Sequence, residues 1–336
     1  MSIKKKIWYS ILFVLFVIVL TQLDLQGMWA GISQIPLWTA ALLVGLQIAS
    51  QLLVNAQWYQ VARFSGARIS FREMFLINCQ GAVVDSVTPG VKVGGEVTRA
   101  MQISRRAACS VEQAAAVVAV QKLFSLSAFF FINLFAAGFI ISGSPLFAMR
   151  SLHFAIYGIL VVFLLLMAFI FIFPHSILAY LSCRELRRGK KRGVKMQKLM
   201  GFVQSMLEGL ICFRKNSKAW ILQLVLSFAI WLLYPVKMYL LAIQFYPDAS
   251  LIFLSAATFA AYLVAMIPLF PGGLGGFEGT MAGLLFAGGF MQNDAMAIAI
   301  VFRFFTFWFV MLLSLVYIGF ERWAKPDKGT VLLSDS

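Results

Sequence analysis

Long apolar runs alternate with short polar breaks along the chain, and this alternation gives a first map of its elements. A membrane-crossing helix needs about 20 apolar residues. Runs of that kind cover 7–23, 36–59, 111–141, 152–173, 218–243 and 295–320, which predicts six full spans. Two further stretches, 71–95 and 251–290, are apolar but broken, the first by "TPGVKVGG" and the second by "FPGGLGG". Proline ends an incoming helix and glycine frees φ and permits close approach. Irregular backbone at membrane depth survives only inside protein or beside a wet cavity. Each broken stretch is therefore expected to be a helical hairpin that dips into the membrane and returns to the side it came from.

Loop charges set the orientation, because Lys and Arg collect on the cytoplasmic side. Lys4, Lys5 and Lys6 place the N-terminus inside, and the next loop has neither Lys nor Arg. Arg63, Arg68 and Arg72 mark the return, and the segment 184–198 is dense in Arg and Lys. If 71–88 crossed, Arg99, Arg105 and Arg106 would land outside and every later span would invert. A dip keeps all of them inside. The expected organisation is one integral membrane domain, 1–336. It has a first repeat at 36–141 with re-entrant segment 71–106, and a cytoplasmic connection at 174–217. A second repeat at 218–320 has re-entrant segment 251–290, and a cytoplasmic tail covers 321–336. The basic, apolar N-terminus resembles a signal peptide but lacks a convincing cleavage site, so a retained first helix is expected.

The connection itself reads in two ways. Met196, Leu199, Met200, Val203, Met206, Leu207 and Leu210 recur at helical steps. They suit an amphipathic helix on the inner leaflet, where Arg187, Arg188, Lys190, Lys191 and Arg192 would attract anionic lipid. A plain basic loop would explain the charges without the periodicity.

The two broken stretches share one pattern. Pro89, Gly90, Gly94 and Glu96 match Pro271, Gly272, Gly276 and Glu278 in spacing, with Gly95, Gly273 and Gly275 adding to the glycine content. A cation follows inside the next long apolar run, Lys122 in the first half and Arg303 in the second. With one hairpin dipping from each side, this is an inverted-topology repeat, and in such folds the interrupted segments mark the substrate site. The fold class is all-α and polytopic, with about six full transmembrane helices plus two re-entrant hairpins.

Charges at membrane depth need partners. Glu96 with Lys122, and Glu278 with Arg303, are the obvious couples; each either glues a hairpin to its neighbour or meets a lipid head group. Asp85 is a further candidate, with Ile267 at the matching position. Arg99 is read as facing phosphates at the inner mouth or as an ordinary flanking charge. Lys237 is expected to snorkel to the outer interface.

Composition closes off other classes. The chain is 61% hydrophobic and 12% charged, with a mean hydropathy of +0.88. Soluble domains run about 45–50% apolar and about 25% charged. A net charge of +15 follows the loops, so nucleic acid is not the partner. Cys79, Cys109, Cys183 and Cys212 lie far apart, and His153 and His175 stand alone, so no metal, disulfide framework or cofactor is indicated.

At these residues the sequence resembles the lysylphosphatidylglycerol synthetase/flippase transmembrane family. The early Asn78 with "TPGVKVGGEVTRA" and the late "PLFPGGLGGFEG" with Arg303 carry the likeness. The resemblance implies translocation of a phospholipid or modified lipid between leaflets of a bacterial plasma membrane. Aminoacylation is not assigned from the likeness, since no synthetase domain is expected after residue 320, and Lys122 stands where the family often has arginine. The expected partners are anionic or aminoacylated lipids, with a homo-oligomer left open. The competing class is a non-catalytic membrane partner that docks a separate lipid-modifying enzyme. An enzyme acting on a head group is disfavoured, since no nucleophile–base or metal motif is present.

Overall fold

A computed structural model describes residues 33, 35–88, 93–143, 150–188, 194–267 and 273–324, and every regular element among them is helical. In order these are α1 (Leu37–Phe64), α2 (Phe71–Val87), α3 (Val93–Ala107), α4 (Val111–Gly143), α5 (Arg150–Ile172) and α6 (Pro174–Arg188). Then come α7 (Val194–Lys215), α8 (Ser217–Ala242), α9 (Leu251–Ala265), α10 (Gly276–Ala287) and α11 (Gln292–Ala324). Several starts are written in the local sequence. The Ser70 hydroxyl accepts the Glu73 N–H at 3.3 Å while the Glu73 carboxylate accepts the Ser70 N–H at 2.9 Å, a capping box for α2. Ser110 and Gln113 repeat that exchange at α4, and Asn216 and Ser250 cap α8 and α9.

Among the described residues, four helices are long and apolar enough to cross a membrane: α1, Val111–Gly138 of α4, α8 and α11. The predicted span at 152–173 is not an isolated rod. Its C-terminal part, Tyr157–Ile172, meets Pro174–Cys183 at a 76° bend, and the two count as a fifth span only if taken together. Pro174 supplies the break, having no N–H to donate and disfavouring helix before it. The expected span at 7–23 lies outside the described residues. Ile48 and Leu52 on α1, Ile221 and Val225 on α8, and Leu315 and Val316 on α11 are all exposed. Water would penalise so much apolar surface and lipid does not. The chain is a multi-pass membrane protein.

Helices α2 and α3 form a hairpin, as do α9 and α10. A Cβ on Gly95 would meet Asp85 and one on Gly81 would meet Arg99, so α3 runs back along α2. In the second hairpin Gly273 lies against Ala265 and Gly288 against Phe253. At 15, 15 and 12 residues, α3, α9 and α10 are shorter than a span needs.

Eight of the described helices form two sets of four in chain order, α1–α4 and α8–α11, each long, short, short, long. Exchanging α1 with α8, α2 with α9, α3 with α10 and α4 with α11 leaves the pattern of neighbours among these eight unchanged. In particular α4 packs on α9, and α11 packs on α2. Each set has its own apolar core, one around Ile77, Ile103 and Phe124 and the other around Leu254, Phe277 and Phe302. A seam of Phe129, Ala136, Ala256 and Phe259 joins α4 to α9.

The centre is polar. Helices α1 and α8 run antiparallel, with Gln57 donating to the Ser227 hydroxyl at 2.6 Å and Lys237 donating to the Gln47 side-chain oxygen at 2.6 Å. One constant offset along the chain carries Gln57 onto Lys237 and Gln47 onto Ser227, so the exchange that maps helices also maps these contacts. Lys237 corrects an expectation: it is fully buried, not snorkelling, and also donates to Ser50 at 3.1 Å and lies 4.4 Å from the Tyr234 ring. Its stem starts on the face of α8 that packs on α1, so the interface is out of reach.

The connection is helical, and its apolar positions are unevenly covered: Met200, Val203 and Met206 are half-buried and Tyr180 is exposed. Leu207, Leu210 and Phe213 are buried, and α7 packs along α4. A plain loop does not describe this half of the segment, which is helical. The side chains of Arg187 and Arg188 and the whole of Lys190, Lys191 and Arg192 lie outside the described residues.

Candidate functional site

The two halves place their charges at equivalent points. Glu96 and Glu278 each sit in the first turn of the second hairpin arm, where the helix dipole favours a carboxylate. Lys122 and Arg303 come from the long helix that follows. Both couples named from the sequence are brought together: Lys122 Nζ lies 2.8 Å from Glu96, and Arg303 Nε lies 3.2 Å from Glu278. Pro89, Gly90, Pro271 and Gly272 lie outside the described residues.

Their surroundings differ. The Lys122 and Glu96 side chains keep 29% and 27% of their surface accessible, whereas Arg303 and Glu278 keep 6% and 16%. The Arg303 guanidinium lies between two aromatic faces, 4.3 Å from the Phe307 ring centroid and 5.1 Å from that of Phe277. The other Glu278 oxygen accepts the Gly275 N–H at 2.7 Å, which ties the carboxylate to the hairpin turn. That turn needs glycine: Gly273 and Gly275 have φ of 71° and 78°, and a Cβ on Gly273 would come within 2.8 Å of the Ala265 carbonyl oxygen. Directly after Arg303 the helix makes a π-helical turn, Phe304–Trp308, which carries Phe307. Such turns often mark functional positions.

Asp85 and Arg99 form a third couple within the first hairpin. The Asp85 carboxylate accepts the Gly95 N–H at 2.9 Å and an Arg99 N–H at 3.0 Å. Gly95 and Gly81 leave the room: a Cβ at either would sit 2.3 Å from the carboxylate or 2.6 Å from the guanidinium. The Arg99 guanidinium lies over Trp58 at 5.4 Å. Arg99 is thus a correction to the reading of a group open at the inner mouth, because its side chain is only 11% accessible and bonded to Asp85. The sequence ranked Asp85 and Arg99 separately because their partnership depends on α3 folding back.

Sequence reading missed four features. The polar set at Gln47, Ser50 and Gln57 lies on one face of α1, and its helical spacing was a usable signal. The aromatic clasp on Arg303 and the π-helical turn left no such trace. A row of rings, Tyr234 to Tyr262 at 5.0 Å and Tyr262 to Phe277 at 4.8 Å, links the buried Lys237 to the Arg303 centre. Among the described residues no three of His, Cys, Asp and Glu gather where they could hold a metal ion.

Buried cations held by carboxylates beside broken helices can offer donors to an anionic head group. The chain is 25% identical over 297 residues to a UPF0104 membrane protein of Methanothermobacter thermautotrophicus, covering 85% of this chain and 86% of that one. It is 23% identical over 241 residues to a UPF0104 membrane protein of Methanocaldococcus jannaschii, covering 68% and 69%. The family described as "Lysylphosphatidylglycerol synthase TM region" matches residues 7–314, and the protein belongs to it.

Proposed function

We propose that the protein moves an anionic or aminoacylated phospholipid between the leaflets of the plasma membrane and has no catalytic step of its own. The observation that carries this reading is the mirrored placement of Glu96–Lys122 and Glu278–Arg303, each at the start of a returning hairpin arm. Matched helices α1 and α8 run antiparallel, which supports an inverted repeat whose hairpins dip from opposite sides, with both termini in the cytoplasm. Transporters built this way bind substrate where interrupted helices meet, and a half-helix N-terminus suits an anion. In this reading Arg303, Lys122 and the glycine-rich turns bind the phosphate. Glu278 and Glu96 hold the cations in place, and the Asp85–Arg99 couple keeps the first hairpin closed.

The test is leaflet exchange of fluorescent anionic and aminoacylated lipids in proteoliposomes. Exchange by the wild type that is lost in Arg303→Ala and Glu278→Gln supports the reading. Exchange that survives both changes overturns the role of this couple. The topology has its own check in cysteine-accessibility labelling at positions 105 and 248, which must report opposite sides of the membrane.

A further inference from the structure

A groove of about 730 Å³ lies away from all three charge couples, between α4, α5 and α8. Its volume falls within the range of roughly 300–1,000 Å³ typical of small-molecule sites. The lining is apolar except for Ser127 on α4 and, at one end, Arg214 and Ser217. Arg214 closes α7 and donates to the carbonyl of Ile172, which pins its guanidinium beside the end of α5. Lys215 and Lys218, both exposed, flank Ser217 in the chain where α7 runs into α8. The groove therefore has a basic mouth and an apolar trough.

Its dimensions fit a lipid. Along α8 the lining runs from Ser217 to Phe228. At 1.5 Å per residue this is about 16 Å, close to half the ~30 Å hydrocarbon core and so to the depth of one leaflet. Trp220 lies one helical turn inside the mouth, where an indole suits the membrane interface. Phe131 and Phe228, whose ring centroids are 5.6 Å apart, lie at the far end. Ala128 and Ala168 keep the trough open where larger side chains would fill it.

We propose that this groove is a binding site for one anionic phospholipid of the leaflet at the basic face. The acyl chain lies between α4, α5 and α8, and the phosphate is held by Arg214 with Lys215 and Lys218. The site is independent of whether the protein moves lipid, because the groove and its charges owe nothing to the hairpins.

The test is occupancy. Full-length protein in nanodiscs is irradiated with phosphatidylglycerol or phosphatidylcholine carrying a photoreactive acyl chain, and the labelled peptides are mapped. Phosphatidylglycerol labels the lining of α4, α5 and α8 in preference to the exposed Ile48 and Leu52 face of α1. Ala168→Trp removes that labelling, whereas Leu165→Trp, on the exposed side of α5, leaves it. Arg214→Glu lowers labelling by phosphatidylglycerol roughly tenfold, the worth of one charge-assisted hydrogen bond, and brings it to the phosphatidylcholine level. Equal labelling by the two lipids in the wild type overturns the proposal, as does labelling no stronger than on α1, which would be annular lipid only. Because Arg214 is exposed, its variant folds and keeps the test decisive if Ala168→Trp does not.

Discussion

At three matched positions the first hairpin carries Asp85, Gly95 and Arg99, and the second carries Ile267, Phe277 and Met281. The first set is a hydrogen-bonded ion pair closed on a backbone N–H. In the second, Phe277 and Met281 are fully buried in an apolar core, and Phe277 walls the Arg303 guanidinium. The exchange moves the ionic cohesion. In the first half the hairpin arms are latched to each other, and the Glu–cation couple is left partly open. In the second half the arms pack by apolar contact, and the Glu–cation couple is the buried element. Two copies of one spacing have thus divided structural and exposed charge in opposite ways. Variants at matched positions in the two halves can break or sharpen this contrast.

The largest effect is expected at Arg303. Removing one member of a buried pair leaves the other uncompensated, at a cost of about 3–5 kcal/mol. Arg303→Ala should show this in an unfolding titration in mixed micelles. Pairing it with Glu278→Gln should recover a large part of the loss, because no carboxylate then stands alone. A double variant as unstable as Arg303→Ala would show that the guanidinium's aromatic contacts, not the charge, set the stability.

Gly273→Ala comes next. Its φ of 71° and a Cβ 2.8 Å from the Ala265 oxygen are both unfavourable to alanine, with strain of about 1–3 kcal/mol. The residue at the matching position of the first half is Val91. Asp85→Asn should cost a similar ~1–3 kcal/mol, since a buried charge-assisted bond to Arg99 is weakened. Its matching change, Ile267→Ala, at a half-exposed position, should be close to neutral.

These contrasts also show what the sequence could reveal. Helix content, the long-short-short-long order and both Glu–cation couples were legible, because apolar run length and motif spacing are local properties. The Asp85–Arg99 latch was not, since it forms only when α3 lies against α2 and two glycines make room. Lys237 was misread for a related reason. A cation near a helix end normally snorkels, and only the approach of α1 with Gln47 and Ser50 makes an interior position tolerable. The apolar period of α7 was legible as helical, but that Leu207, Leu210 and Phe213 pack into protein was not, because periodicity does not distinguish lipid from a neighbouring helix.

Lys237→Gln tests the mirrored seam between α1 and α8. The offset that maps the helices places Gln57 opposite Lys237, and Gln57 holds Ser227 with a neutral amide. A glutamine at position 237 can donate to Gln47 in the same manner without an amine to desolvate. The expected change in stability is within about 1 kcal/mol, in either direction. A loss of several kcal/mol would mean that the amine's second bond to Ser50 and its contact with the Tyr234 ring bear more than the symmetry implies.

The smallest effect on stability is expected at the open couple. Glu96 and Lys122 keep more than a quarter of their surface accessible, and exposed pairs are worth about 0–1 kcal/mol. Glu96→Gln and Lys122→Met should each shift unfolding by less than that. Their value lies in separating stability from lipid exchange. If the open pair meets a head group, Lys122→Met slows leaflet exchange while the fold is unchanged, and Lys122→Arg restores it by returning donors to the same place. If the pair only fastens α3 to α4, exchange stays at the wild-type rate in all three variants. In that case the second half alone handles the head group, and the asymmetry of the two couples is one of role as well as burial.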